Sequence, residues 1–288
     1  MQLRHWVLVP PSRWAPALPA APDALRRFRG AVARRVVGLV ERRARAQLGH
    51  GRGKAGALAV LHTVASDLTP RAHVHLIATD GVFVPGVQGP ASFVALDSGP
   101  EPPLLRDLAR AVEAAARSAL PDPPRVAASS TLTVRLKGSR PAPEHAGEIA
   151  QARGAEVFVG EPLERHDRAS AERLAAYVTR PPLAPGSVTP HGQEQMQLRL
   201  REPAYDRTVA IRMPRATFDA RLRAVSRAAP KRRVSLHGAL APGCGVRWRG
   251  DGVQLRLLET EGVPRRGERA VRCSTCGERL EVVAAEPG

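Results

Sequence analysis

The stretch 62–81, HTVASDLTPRAHVHLIATDG, constrains this chain more than any other. His73 and His75 stand two apart in HVHLIAT, an apolar and β-branched run bounded by Pro70 and the turn pair Asp80-Gly81, so the run reads as a strand. Alternate side chains of a strand point to one face, and both imidazoles therefore project together. His62 lies eleven residues earlier, in a second apolar run at 57–64, ALAVLHTV. The polar segment ASDLTPR between the runs reads as a turn. If the two strands pair, His62 comes over the same face and completes a three-imidazole site for a divalent metal. A lone His-x-His pair on a strand is more often an ordinary packed pair than a ligand set. The third histidine on a neighbouring strand is the argument for the metal.

Around this stretch the chain reads as alternating short strands and helices. Residues 3–9 (LRHWVLV) form a strand stopped by Pro10-Pro11. From Asp23 to about Gln47, Leu25, Phe28, Val32, Val36 and Val40 recur at helical spacing, with arginines over the rest of the surface. GHGRGKAG follows; it matches no phosphate-loop spacing and reads as a turn carrying Lys54. Short strands at 82–84 and 92–96 lead to a helix at 102–120 with a proline start and one leucine-rich face. A short strand at 131–136 lies between Pro-rich loops. A helix at 170–178 contains Tyr177 and ends at Thr179-Arg180-Pro181-Pro182. Beyond it come a hairpin turning at Pro190-His191-Gly192, a strand at 209–213 and a helix opened by Pro214. The order β-α-β-β-β-α-β predicts an α+β fold, a mainly antiparallel sheet with helices packed on it.

Charge narrows the partner. The formal net charge is +17, and only three of the 44 basic residues are lysines. Arginine forks suit phosphate, which points to a polyanion; the competing reading is a bias toward Arg, Ala, Gly and Pro throughout the chain. Three cysteines and no secretory signal imply a reducing compartment without a disulfide framework, hence a cytoplasmic location. No apolar run reaches the length of a membrane span. Cys273 and Cys276 form a Cys-x-x-Cys, two ligands where structural zinc needs four; Cys244 and His237 are the residues available to complete a set, at no standard spacing.

Four blocks, in order, resemble one family. GKAGALAVLHTVASDLTPRAHVHLIATDGVFV is similar to the core of rolling-circle transposases of the His-hydrophobe-His tyrosine class. AERLAAYVTRPPLAPGSVTPHGQEQMQLRL resembles that family's catalytic-tyrosine helix and the hairpin after it, RRVSLHGALAPG its His-Gly segment, and CSTCGERLEVVA its terminal Cys-x-x-Cys run. The likeness spans roughly 3–243 and resumes at 270–284. The histidine spacing also resembles that of conjugative relaxases.

The resemblance implies a nuclease that holds Mg²⁺ or Mn²⁺ on His73, His75 and His62. Tyr177 is then the nucleophile, leaving a 5′-phosphotyrosine and a free 3′-hydroxyl on single-stranded DNA. Tyrosine's reference pKa is about 10, so an activating cation is needed, and Arg180 or the metal fills that role. Arg180, Arg71 and Lys54 are the expected DNA contacts, and Zn²⁺ at Cys273 and Cys276 is a secondary expectation. The implied division is a nuclease-like domain at 1–182, a hairpin and helix subdomain at 183–243 and a divergent tail at 244–288. The helices at 23–47 and 104–120 are expected to present a basic face bordering the histidines.

Some features depart from the pattern. The Cys-rich segment that many members carry before the first strand is expected to be missing, and Arg173 stands where two-tyrosine members have their earlier tyrosine, so the single-tyrosine subtype fits. Residues 244–270 do not follow the family. A catalytically silent, truncated remnant that only binds DNA is therefore the alternative to an active transposase of a bacterial insertion sequence.

Overall fold

The computed structural model describes residues 1–49, 53–84, 91–124, 133–137, 147–164, 167–200, 208–227, 233–242 and 244. The first half comprises β1 (Leu3–Val9), α1 (Pro22–Leu48), β2 (Gly56–Val64), β3 (Pro70–Thr79), β4 (Gly81–Val84), β5 (Ser92–Ala95) and α2 (Pro102–Ala119). Then come β6 (Val134–Lys137), β7 (Gly147–Ala152), β8 (Ala155–Leu163) and α3 (Arg168–Thr179). The remainder is β9 (Val188–His191), β10 (Gln195–Arg199), β11 (Thr208–Pro214), α4 (Arg215–Arg227) and β12 (Val234–Gly238).

Six strands form the main sheet in the order β12-β2-β3-β1-β8-β7, and every pairing in it is antiparallel. The α+β class with mainly antiparallel sheets is thus what the chain adopts. β1 alternates cleanly between faces, while β2 and β3 also bury residues on the face away from the helices. Trp6, Leu8, Ala57, Ala59, Leu61, Ala72, Val74, Leu76, Ala78, Val157 and Val159 are buried in one cluster with Phe28, Val32 and Val36 of α1 and Leu105, Leu108 and Val112 of α2. Alanine is frequent on the strands of this face, and its small volume lets the helix axes approach the sheet closely. Each fully buried Leu, Val or Phe contributes about 1.5–3 kcal/mol, so this layer carries most of the stability.

A buried ion pair ties three neighbouring strands of this sheet together at one end. Arg4 donates to Asp80 Oδ2 through Nε (2.9 Å) and Nη2 (2.5 Å), and its Nη1 donates to the Gly160 carbonyl at 3.0 Å. Arg4 and Asp80 are both buried, so removing one partner would leave an uncompensated charge.

The sheet is larger than the sequence reading anticipated. The β7–β8 hairpin turns at Arg153-Gly154, both with positive φ, and β8 pairs with β1 near the centre of the sheet. The two strands are separated by only two residues, β7 is exposed at the edge, and the apolar run of β8 is broken at Gly160-Glu161-Pro162, so no long apolar run announces them. β12, from the SLHGALAPG segment, adds the other edge by pairing with β2. Gly238 ends it at φ 60°, where a Cβ would lie 2.2 Å from the Ala55 carbonyl; only glycine fits there.

A second sheet, β6-β11-β10-β9, packs with α4 around Leu68, Leu198, Ile211, Met213 and Phe218. β6 joins this layer from earlier in the chain, and β12 leaves it for the main sheet. Leu68, in the β2–β3 turn, and a hydrogen bond from Arg221 to the Asp67 carbonyl (2.9 Å) dock this layer beside the histidine strands.

Candidate metal and tyrosine site

The register of β2 and β3 decides where the imidazoles go. His62 lies directly opposite His73, and Val60 opposite His75, so all three histidines share the face turned away from α1 and α2. The ring centres of His62 and His75 are 4.4 Å apart, those of His62 and His73 5.0 Å, and those of His73 and His75 5.1 Å. One ligand atom from each lies within 4.8 Å of the others.

Each imidazole has one nitrogen already engaged. His62 Nε2 donates to the Val178 carbonyl at 2.7 Å and His73 Nδ1 to the Arg71 carbonyl at 3.1 Å. His75 Nδ1 is 3.0 Å from Nε2 of His5. That leaves His62 Nδ1, His73 Nε2 and His75 Nε2 as the nitrogens that could serve as ligand atoms, with the engaged nitrogens orienting each ring.

Burial keeps these rings neutral. It lowers the His73 pKa to about 3, with His62 as the next cause, and drives His75 well below its ordinary value. His62 is also lowered, again mainly by burial. Neutral imidazoles are the ligating form, so protons do not compete for the site near neutral pH.

Tyr177 is carried over this face by α3. Asp167 caps the helix, its Oδ1 accepting from the Ser170 amide at 2.9 Å. Val178 is the helix's one buried residue, and its carbonyl is the acceptor for His62. The Tyr177 ring centre thereby sits 5.7 Å from that of His75 and 6.2 Å from that of His5. At the other end, Pro181 forces the residue before it out of the helical region, and Arg180 adopts φ −54°, ψ 146°. Its guanidinium then folds back over the tyrosine ring, 4.2 Å from the centre. The Tyr-x-x-Arg-Pro-Pro sequence is thus a device for stopping a helix and returning a cation to the phenol.

The other expected site residues divide. Arg71 is exposed on β3, on the same face as His73 and His75. Lys54 precedes β2, whereas His62 is near that strand's far end, about 26 Å away at roughly 3.3 Å per residue. The structure does not bring Lys54 to the histidines; its backbone instead bridges to Phe83. The helices expected to border the histidines with a basic face do not do so: α1 and α2 cover the opposite face of the sheet. Cys273 and Cys276 lie outside the described residues. Of the residues considered as partners for that cysteine pair, His237 pairs with Ser235 Oγ at 2.9 Å and Cys244 Sγ with the Ala239 carbonyl at 3.0 Å.

His5 was not singled out by the sequence. It is a lone histidine in LRHWVLV, and only the β1–β3 register, which sets Val7 opposite His75, puts it diagonally beside His75 on the same face. Residue parity within the strand was the available signal, but the pairing partner was not.

Residues 56–246 of the chain match the family described as "Putative transposase". No curated protein and no solved structure matches the chain.

Proposed function

The chain belongs to that transposase family, a family of DNA-processing enzymes, and from this premise we propose that it cuts and joins single-stranded DNA through Tyr177 at a His-bound divalent metal. The observation that supports the reading is the convergence of three oriented, neutral imidazoles with a tyrosine ring 5.7 Å from one of them. His62, His73 and His75 would hold the ion, and the imidazole set suits Mn²⁺ better than Mg²⁺, which prefers oxygen ligands. When bound, the ion supplies charge that offsets negative charge growing on a scissile phosphate.

The remaining chemistry belongs to the side chains. Tyr177 Oη attacks phosphorus and forms an Oη–P bond as the P–O3′ bond breaks. The phenol proton leaves to solvent or a base, and a proton returns to the departing 3′-oxygen. One phosphodiester is exchanged for another, so no energy source or oxidant is required. Arg180 lies over the phenol and adds positive charge where negative charge develops. Arg71, exposed on the same face as the histidines, would contact the phosphate chain. The subtype with a single tyrosine and a 5′-phosphotyrosine product is part of this proposal, as is the division at 1–182, 183–243 and 244–288.

The test is incubation of the full chain with end-labelled single-stranded DNA and Mn²⁺, with Mn²⁺ binding measured separately by calorimetry. A covalent protein–DNA adduct that retains the fragment 3′ of the break, joined through its 5′-phosphate, supports the reading. A chain that binds Mn²⁺ and DNA but never forms the adduct would be the silent, DNA-binding remnant.

A further inference from the structure

His5 lies outside the residues matched to the family, yet it is in direct contact with a proposed ligand. The rings of His5 and His75 are inclined by only 7°, with centres 5.2 Å apart and nitrogens 3.0 Å apart. Face-to-face stacking is excluded, because parallel faces cannot approach closer than their nearest atoms, and 3.0 Å is below the contact distance of stacked carbons. The separation of centres exceeds that of the nitrogens by 2.2 Å, which is the two ring-centre-to-nitrogen radii of about 1.1 Å laid end to end. The two imidazoles are nearly coplanar and joined in line. Packing alone does not select this geometry; an N–H···N hydrogen bond does.

We propose that His5 is a positioning residue of the metal centre: its Nε2 accepts the Nδ1 proton of His75 and so fixes His75 Nε2 as the nitrogen offered to the cation. The inference rests on the reading of the three histidines as a metal centre. His62 and His73 have their tautomers set by backbone carbonyls, of Val178 and Arg71. His75 stands on β3, flanked on both sides by paired strands whose carbonyls are spent on the ladder. Its Nδ1 partner is instead a side chain, that of the diagonal neighbour on β1. His5 is itself held by edge contacts to Phe158 at 6.1 Å and Tyr177 at 6.2 Å, which keep its plane aligned with that of His75.

The test compares Mn²⁺ binding by calorimetry for the full chain, His5→Phe, His5→Gln and His73→Ala, with thermal unfolding of each. His5→Phe keeps an aromatic ring but no acceptor, and a loss of about 10–100-fold in affinity is expected. His5→Gln returns an acceptor near the original Nε2 and is expected to bind close to wild type. If His73→Ala loses binding while His5→Phe does not, the proposal fails and the metal centre stands. If His5→Gln is as weak as His5→Phe, the acceptor role fails. If wild type and His73→Ala bind alike, the centre and the proposal fall together. Long-range ¹H–¹⁵N spectra of the unsubstituted chain provide a reading independent of any variant's folding. His75 protonated on Nδ1 supports the proposal, and His75 protonated on Nε2 overturns it.

Discussion

The two faces of the six-stranded sheet are built from the same strands and do opposite things. On β3, Ala72, Val74, Leu76 and Ala78 sink into the layer beneath α1 and α2, while Arg71, His73 and His75 alternate with them on the other side. The first face is mostly apolar and is made rigid by close packing. The second carries four histidines on three adjacent strands and is capped by the helix bearing Tyr177. A rigid face holds the reactive one in register: ligands on neighbouring strands keep their spacing only if the strands cannot slide, and a one-residue slip would carry the histidines to the wrong side.

The largest effect should come from the cap of the reactive face. Tyr177→Phe deletes one oxygen and keeps the ring beneath Arg180 and beside His75. Adduct formation should drop to background on labelled single-stranded DNA, with the melting temperature and DNA affinity unchanged. If the adduct persists in this variant, Tyr177 is not the nucleophile.

Neighbouring positions on β3 should then separate the faces. His75→Ala is expected to cost more than about 100-fold in Mn²⁺ affinity, since even outer partners of ligands are worth about 10–100-fold. It should also remove metal-dependent nicking. Leu76→Ala, one residue along and fully buried on the other face, should destabilise by about 2–5 kcal/mol in denaturant melts and leave the Mn²⁺ affinity of the folded protein near wild type. His62→Ala should weaken the site less than His75→Ala for metal. It also releases the Val178 carbonyl, so the adduct yield should fall further than metal affinity alone accounts for. Equal losses from His75→Ala and Leu76→Ala in both assays would erase the distinction between the faces.

Acid should attack the reactive face first. In the unfolded chain each of these histidines titrates near 6.5, whereas in the fold burial holds His73 at about 3 and lowers His62 and His75 as well. Between those values the unfolded chain binds more protons, so stability falls as pH drops from about 6.5 toward 3 and is flat above about 7 as far as these groups are concerned. His73→Ala should show a shallower acid limb in metal-free melting curves. An unchanged limb would mean that these imidazoles do not resist protonation.

How much of this was written plainly in the chain follows from range. His62, His73 and His75 could be grouped because an antiparallel pair joined by a short turn sets its own register. The α3 stop at Arg180-Pro181-Pro182 was equally local, a matter of one proline acting on the residue before it. β8 was missed although it sits between β1 and β7, because its burial is supplied by partners 150 residues away and its own apolar run is broken by Gly160 and Glu161. His5 was invisible for the same reason: nothing within LRHWVLV says which strand will lie beside it. The misplacement of α1 and α2 is instructive in another way. Their arginines suggested a DNA face, but the helices' apolar stripe had to meet the alanine-rich side of the sheet, and that choice put the charge on the far side from the histidines.

This last point yields the smallest expected effect and the finest test of the comparison. Arg34 and Arg35 are exposed on α1, across the sheet from the site, whereas Arg71 shares its face. Exposed charges separated by more than about 8–10 Å are largely screened at physiological salt. If single-stranded DNA runs over the histidine face, Arg71→Ala should reduce the magnitude of the log–log salt slope of binding by about 0.7, the loss of one phosphate contact. The double variant Arg34→Ala, Arg35→Ala removes twice the charge, yet it should leave that slope within error of wild type and shift affinity only slightly at low salt, where screening is weak. The reverse outcome, a slope lowered by the α1 variant and untouched by Arg71→Ala, would mean that the DNA lies on the helical side, where neither His75 nor Tyr177 could reach it.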